Sequence, residues 1–234
     1  MVDTRKTIAD NLTRVREQVA KAAERAGRAA DSVQLVGVTK YVDAAATAAL
    51  LAAGCRELGE SRPQQLCAKA VEPGLSSAHW HLIGHLQRNK VRATLPHVDL
   101  IHSVDSLRLL KAIDSSAQEH GKRARVLLEI NCSGDAEKHG MTADALKSVL
   151  PDLPDYKSVE VCGLMTMAAR QGGSQVAAQN FAALRNLRDD VARECPPTVV
   201  LTELSMGMSH DFEVAIREGA SIVRIGSLLL EGLH

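Results

Sequence analysis

A lysine closes the first apolar run of the sequence. Lys40 ends the stretch VGVTK, in which Val36 and Val38 precede it. Apolar neighbours partly desolvate a lysine and favour the neutral amine, the form that condenses with a carbonyl. The position therefore predicts a Schiff-base lysine. A lysine whose head simply reaches solvent at the end of a strand would give the same pattern.

Two later runs end in turns of small residues. One continues into LSMGMSHD, which contains Ser205, and the other into RIGS, which contains Gly226 and Ser227. Small residues let backbone N–H groups approach a ligand, and hydroxyl groups add donors. Such turns predict a phosphate site, unless the glycines serve turn geometry alone.

Arg224 lies inside the last apolar run, SIVRIGS. A buried guanidinium needs a partner. A pyridine nitrogen of a ligand would serve, and so would a carboxylate such as Glu203 or Glu231 in a structural salt bridge.

Two other groups of polar residues predict no site. His79 and His81 share a face of one run, but no third ligand has a supporting spacing, so no metal is predicted. Ser209, His210 and Asp211 are triad residue types, but adjacency in sequence does not create a triad, and the G-x-S-x-G elbow is missing.

Eight short, largely apolar runs alternate with helical segments, as in a buried parallel sheet. They begin at Val33, Cys55, His79, Leu100, Arg125, Val159, Val199 and Ser221. Eight such units within 234 residues predict an α/β protein built as one (β/α)8 barrel of the TIM type over residues 1–234. An open doubly wound sheet is the alternative, but the G-x-G-x-x-G turn typical of its first strand is absent.

An extra helix is expected before the barrel, from about Thr4 to Arg28, with Gly27 as its stop signal. Gly54, Gly121 and Gly219 mark the ends of later helices. A polar loop is expected after the fifth strand, at about residues 134–139. In a barrel the carboxyl ends of the strands share one rim, so Lys40 and the two turns should meet there.

Composition excludes several classes of function. Apolar residues make up 45% and charged residues 24%, as in ordinary soluble globular proteins. The net charge is zero and aromatic residues make up only 2%, so nucleic-acid binding is not expected. Neither a signal peptide nor a membrane span is expected. The five cysteines form no C-x-x-C pair and are interpreted as reduced thiols in the cytoplasm.

The sequence resembles the YggS/PROSC family of pyridoxal phosphate homeostasis proteins. Matching blocks lie in order along nearly the whole chain, and WHLIGHLQRNK and LSMGMSHD are the most specific. The full set is VGVTK, LGE, WHLIGHLQRNK, IHSVDS, EINCSGDAEKHG, GLMTM, LSMGMSHD and VRIGS.

The resemblance implies a fold-type III barrel similar to that of alanine racemase, with pyridoxal phosphate as the cofactor. It also implies roles for particular residues. Lys40 matches the Schiff-base lysine, Arg224 the arginine facing the pyridine nitrogen, Ser205, Gly226 and Ser227 the phosphate turns, and His81 and Met165 pocket-lining positions. Ser61 stands where the family usually has asparagine.

A carrier is favoured over an enzyme. An arginine opposite the pyridine nitrogen disfavours its protonation and weakens the cofactor as an electron sink. Alanine racemases add a second domain and a partner-subunit tyrosine, whereas Tyr41 is expected to point away from Lys40 and the chain ends soon after the eighth run. The prediction is a monomeric carrier that supplies pyridoxal phosphate-dependent apoenzymes. A pyridoxal phosphate-dependent racemase and a Schiff-base aldolase are the alternatives.

Overall fold

Eight parallel strands form a closed barrel in the computed structural model, which describes residues 3–135 and 139–233. The strands pair in chain order, and β1 closes the ring on β8 with Gln34 opposite Ile222. The predicted barrel is confirmed, and this closure excludes the open doubly wound sheet. The strands are β1 (Gln34–Val38), β2 (Glu57–Glu60), β3 (His79–Leu82), β4 (Leu100–Val104), β5 (Ala124–Glu129), β6 (Val159–Met165), β7 (Glu203–Ser205) and β8 (Ile222–Ile225).

Helices surround the barrel, and the N-terminal helix completes their ring. They are α1 (Thr4–Arg25), α2 (Ala44–Ala52), α3 (Pro63–Ala70), α4 (Val91–Thr94), α5 (Leu107–Glu119), α6 (Ala143–Val149), α7 (Gly173–Glu194) and α8 (Phe212–Arg217). Among the residues described after β8, the chain forms turns rather than a helix. Helix α1 packs against α2 and α8, and Asn11 Nδ2 donates to the carbonyls of Leu229 and Glu231. The helix predicted as an addition to the barrel therefore takes the place of the helix that would follow β8.

Helix α1 is amphipathic and capped at both ends. Its apolar stripe, which includes Ile8 and Leu12, is buried. At the start, the carboxylate of Asp3 accepts hydrogen bonds from two backbone N–H groups of the first turn. The helix ends at Arg25 rather than Arg28, because Gly27 adopts a left-handed φ of 70°.

Strand β7 is shorter than its apolar run predicts. The run begins at Val199, but the strand begins at Glu203. The backbone N–H of Val199 bonds to the carbonyl of Pro196, and the Val200 side chain is 63% exposed. This valine pair therefore precedes the barrel instead of entering it.

The barrel interior is apolar at one level and polar at another. One cluster consists of the buried residues Val36, Leu100, Leu127, Cys162, Met165 and Ile222. Buried polar residues, among them His81, His102, Ser205 and Arg224, lie elsewhere in the interior. All five cysteines are free. None of the helices in the described ranges could cross a membrane. Of the polar loop predicted after β5, residues 136–138 lie outside the described residues.

Candidate functional site at the carboxyl rim of the barrel

A cavity of about 480 Å³ opens at the carboxyl ends of β1, β2, β3 and β8, a volume typical of small-molecule sites. Five of the residues predicted from the sequence line it: Lys40, Ser61, Arg224, Gly226 and Ser227. Its apolar wall comes from Val38, Ile83, Met167, Met208 and Leu230. The rim therefore combines one amine, one guanidinium and one glycine-serine turn with a mainly apolar surface.

The backbone around Lys40 is held by a second lysine. Lys69 on α3 donates from Nζ to the carbonyls of Thr39 and Val42, both at 2.8 Å, and to Glu60 Oε1 at 2.6 Å. These carbonyls lie on either side of Lys40, so Lys69 fixes the turn that presents the Lys40 amine. Thr39 Oγ1 adds a hydrogen bond to Glu60 Oε1 at 2.9 Å.

Sequence reasoning missed Lys69, although one signal was present. Glu60 ends an apolar run, and its side chain is fully buried in the structure. A buried carboxylate needs a cation nearby. Searching the following helix for that cation would have found Lys69.

Tyr41 lies beside Lys40 rather than across the strand from it. Its ring centroid is 4.8 Å from Lys40 Nζ, its side chain is 80% exposed, and it lines the same cavity. The expectation that Tyr41 points away from Lys40 is wrong. Strand β1 ends at Val38, and the next residues form a turn in which Val42 N–H bonds to Thr39 O, so strand alternation no longer applies.

Arg224 is buried and bonded to neutral partners. Nη1 donates to Ser205 Oγ at 2.5 Å, and Nη2 donates to the carbonyl of Thr166 at 3.0 Å. Burial lowers the pKa of Arg224 to about 10, so the side chain is still a cation at neutral pH. Glu203 accepts from Ser221 and Glu231 pairs with Arg14, so neither forms the structural salt bridge considered for Arg224. The guanidinium also lines the cavity, where its charge is available to a ligand acceptor.

A chain of hydrogen bonds runs from Arg224 along the barrel axis. Ser205 Oγ lies 2.8 Å from His102 Nδ1, and His102 Nε2 lies 2.9 Å from His81 Nδ1. His81 Nε2 lies 2.7 Å from Glu57 Oε2. Glu57 and His81 line a second, polar cavity of about 590 Å³ at the amino ends of the strands. The chain therefore links the two mouths of the barrel.

The donor-to-acceptor direction of this hydrogen-bond chain follows from the chemistry of Arg224. Arginine can only donate hydrogen bonds, so the Ser205 oxygen accepts from Arg224 and its O–H donates to His102 Nδ1. Burial lowers the pKa of His102 well below its usual value, so this imidazole is neutral and carries its proton on Nε2. His102 Nε2–H then donates to His81 Nδ1, and His81 Nε2–H donates to Glu57. Every donor points from the cation toward the carboxylate.

Glu57 holds the far end of this chain. Burial alone would raise the pKa of Glu57, but the hydrogen bonds that it accepts from His81 and His79 outweigh burial and lower the pKa to about 2. His79 Nδ1 lies 2.8 Å from Glu57 Oε1, so each carboxylate oxygen meets one imidazole. The two histidines of β3 thus bind one carboxylate, each through a hydrogen bond to a different oxygen.

The structure does not bring Ser205, His81 or Met165 to the cavity wall. Side chains two residues apart on a strand lie on the same side of the sheet, and the later one is nearer the rim. Met167 therefore lines the cavity above Met165, and Ile83 lines it above His81. The hydroxyl of Ser205 is fully buried between Arg224 and His102.

Two close contacts shape the rim. A Cβ on Gly84 would lie 2.2 Å from the carbonyl oxygen of Ser61, so only glycine lets the loop after β2 approach this closely. Ser209 Oγ accepts a hydrogen bond from the N–H of Gly226 at 3.3 Å and joins the turns after β7 and β8. The sequence pattern indicated Ser209 only as a triad residue type.

Known proteins share both this fold and this sequence. Residues 11–233 match the family model described as alanine racemase, N-terminal domain. A protein of Aquifex aeolicus named pyridoxal phosphate homeostasis protein is 40% identical over 220 residues, which cover 94% of this chain and 96% of that protein. PipY of Synechococcus elongatus, solved with pyridoxal phosphate bound, superposes with a TM-score of 0.86 at 36% identity and covers 95% of this chain and 99% of PipY.

Alanine racemase of Corynebacterium glutamicum shares the fold alone, with a TM-score of 0.72 at 18% identity over 98% of this chain and 63% of the racemase. The family resemblance drawn from the sequence blocks is confirmed. The chain belongs to the alanine racemase N-terminal domain family and, within it, to the pyridoxal phosphate homeostasis proteins.

Proposed function

We propose that this protein binds pyridoxal phosphate as a Schiff base on Lys40 and acts in intracellular cofactor homeostasis as a carrier. The observation that carries the proposal is the meeting of Lys40, Arg224 and the Gly226–Ser227 turn at one cavity. The bound cofactor in PipY, at 36% identity, supports the same ligand.

The cavity has a group for each functional part of the cofactor. The amine of Lys40 would condense with the aldehyde, forming a C=N bond and releasing water. Arg224 would donate to the pyridine nitrogen. The turn that begins at Gly226, whose carbonyl accepts from the N–H groups of Leu229 and Leu230, would offer N–H groups to the phosphate. Ser61 and Ser227 supply hydroxyl groups, and the apolar wall encloses the ring.

Arg224 also favours a carrier over a catalyst. A cation facing the pyridine nitrogen opposes its protonation, and an unprotonated ring withdraws electrons poorly from a bound amino acid. The bound cofactor would therefore have its aldehyde masked without strong activation for carbanion chemistry. In this proposal a cytoplasmic monomer supplies cofactor to pyridoxal phosphate-dependent apoenzymes.

Reduction and peptide mapping test the covalent link. Borohydride reduction of the loaded protein should fix the pyridoxyl group on the peptide that contains Lys40. The Lys40→Ala variant should lose this label and the visible Schiff-base absorption band. Lys147→Ala, which changes an exposed lysine on α6, is the matched control and should retain both. A label found on other lysines in the wild type would overturn the proposal.

The position of Tyr41 favours a second candidate function, an amino-acid racemase. Its ring lies 4.8 Å from Lys40 Nζ at the cavity mouth, where a phenol could exchange a proton with a bound substrate. Racemisation of alanine and serine enantiomers by the loaded protein tests this. Turnover that Tyr41→Phe abolishes would favour the racemase, and undetectable turnover in the wild type would favour the carrier.

A further inference from the structure

The carboxyl rim holds a second cluster of ionisable side chains, on the loops after β3, β4 and β5. His85 follows β3, Asp105 follows β4, and His139 lies in the chain after β5. Each offers one ligand atom, and the three atoms lie within 4.8 Å of one another. These residues are far apart in the sequence, and closure of the barrel brings them together.

Both imidazoles converge on one carboxylate oxygen. His85 Nδ1 lies 3.2 Å from Asp105 Oδ2, and His139 Nδ1 lies 3.7 Å from the same atom. The two rings stack with centroids 4.3 Å apart and an interplanar angle of 16°. The other oxygen, Oδ1, accepts a hydrogen bond from Ser106 Oγ, which orients the carboxylate.

Glu57 with His79 and His81, the Glu57 cluster, shows how two imidazoles and one carboxylate are arranged when they hydrogen-bond directly to one another. There the two histidines use different carboxylate oxygens, at 2.7 and 2.8 Å, which are the distances of charge-assisted hydrogen bonds. The contacts to Asp105 are longer and share one atom. Metal bonds of about 2.0–2.1 Å at tetrahedral angles separate ligand atoms by about 3.3 Å, close to the two distances at Asp105.

The charges around Asp105 also favour a cation. Burial raises the pKa of Glu129 to about 7, and the negative charge of Asp105 contributes to the increase. Glu129 ends β5, and negative charges on Glu129 and Asp105 would repel each other at this part of the rim. A divalent ion bound to Asp105 would relieve that repulsion.

We propose that His85, Asp105 and His139 form a binding site for a divalent transition-metal ion, with Zn²⁺ as the best match. Two imidazoles and a carboxylate suit Zn²⁺, whereas Mg²⁺ and Ca²⁺ require more oxygen ligands. Three protein ligands leave a fourth position for water or an external ligand. His85 follows Gly84, which lines the 480 Å³ cavity, so the ion would lie beside the mouth of the proposed cofactor site.

Calorimetric titration of the untagged, cofactor-loaded protein with Zn²⁺ tests this site. One ion per chain is expected. Loss of even an outer-shell partner weakens metal binding about 10–100-fold, so His85→Ala and His139→Ala should each raise Kd by at least as much. These side chains are 42% and 58% exposed, so circular dichroism should show both variants folded. Asp105→Asn keeps the shape of the side chain and should weaken binding similarly.

His120→Ala is the matched control, because His120 is an exposed histidine whose Nδ1 bonds to a carbonyl of its own helix. It should bind Zn²⁺ like the wild type. A Co²⁺ titration adds a second readout, because thiolate ligation gives charge-transfer absorption that imidazole and carboxylate ligation does not. Equal Kd in wild type and variants, a thiolate band, or no binding heat would each overturn the metal site. None of these results would affect the label on Lys40, so the two proposals fail separately.

Discussion

Arg224 donates a hydrogen bond of 2.5 Å to the hydroxyl of Ser205, on the neighbouring strand. The contact joins a cation at the cavity to a hydroxyl that is fully buried. Because the Ser205 hydroxyl donates its own hydrogen bond to His102, its oxygen is free to accept from the guanidinium. The orientation of Arg224 therefore depends on a neutral acceptor inside the barrel, and its positively charged guanidinium lines the cavity.

Replacing Arg224 should weaken cofactor retention without preventing covalent attachment. In the proposed site, Arg224→Ala would deprive the pyridine nitrogen of a charged donor, and such bonds contribute about 1.5–3 kcal/mol. Dialysis of loaded protein against an apoenzyme trap should show release at least about tenfold faster. Borohydride mapping should still find the label on Lys40. Retention equal to that of the wild type would contradict the role given to Arg224.

Ser205→Ala should destabilise the fold. It removes the acceptor of Arg224 Nη1 and the donor to His102 Nδ1, both buried. Unsatisfied buried groups cost about 1–3 kcal/mol each, so with two such groups the free energy of unfolding in urea should fall by about 2–6 kcal/mol. Ser148→Ala, at an exposed serine of α6, should change it by about 0.5 kcal/mol or less. Equal losses in both variants would contradict the buried chain.

Lys69→Met should disturb both stability and the turn that carries Lys40. Breaking a buried ion pair leaves Glu60 without its cation, at a cost of about 3–5 kcal/mol. Adding Glu60→Gln should recover much of that stability. It should not recover rapid Schiff-base formation, because the carbonyls of Thr39 and Val42 stay unbound. Stopped-flow absorbance and urea unfolding separate the two effects, and full recovery of the rate would refute the bracing role of Lys69.

Gly84→Ala should displace the loop that carries Ser61. The new Cβ would lie 2.2 Å from the Ser61 carbonyl oxygen, whereas a Cβ on Gly74 meets nothing within 4 Å. Overpacking of this kind costs about 1–3 kcal/mol. Thermal unfolding should therefore separate Gly84→Ala from Gly74→Ala, and cofactor affinity should fall only in the former. Similar behaviour of the two variants would count against the close contact.

The Glu57 cluster predicts a pH window for stability. Glu57 has a folded-state pKa of about 2, below its usual value of about 4.3, so its contribution is present above that value and lost as pH falls toward 2. Bonding to Glu57 raises the pKa of His79, so that contribution is present below about pH 6.5 and lost as pH rises through the raised value. The stability gap between wild type and Glu57→Gln should therefore be largest between about pH 4.5 and 6.5. A gap independent of pH would contradict these ionisations.

Much of the architecture could be predicted from the sequence, because the alternation of strands and helices is a local pattern. Lys40, Ser61, Arg224, Gly226 and Ser227 could also be placed at one rim, since strand ends share an edge. The depth of each side chain below the rim could not be predicted, because it depends on strand tilt and register. His81 and Met165 therefore lie below the residues that reach the cavity. His139 was missed because its partner Asp105 is distant in sequence, and Lys69 was missed because the full burial of Glu60 is visible only in the structure.

The closure of the helix ring by α1 has a consequence for synthesis on the ribosome. Asn11 is translated 218 residues before Leu229 and 220 residues before Glu231, whose carbonyls it binds. The face of α1 that packs against α8 must remain unpaired, or be covered by a chaperone, until α8 has emerged. Such long-range pairing slows folding, so the nascent polypeptide should become protease-resistant late and in one step.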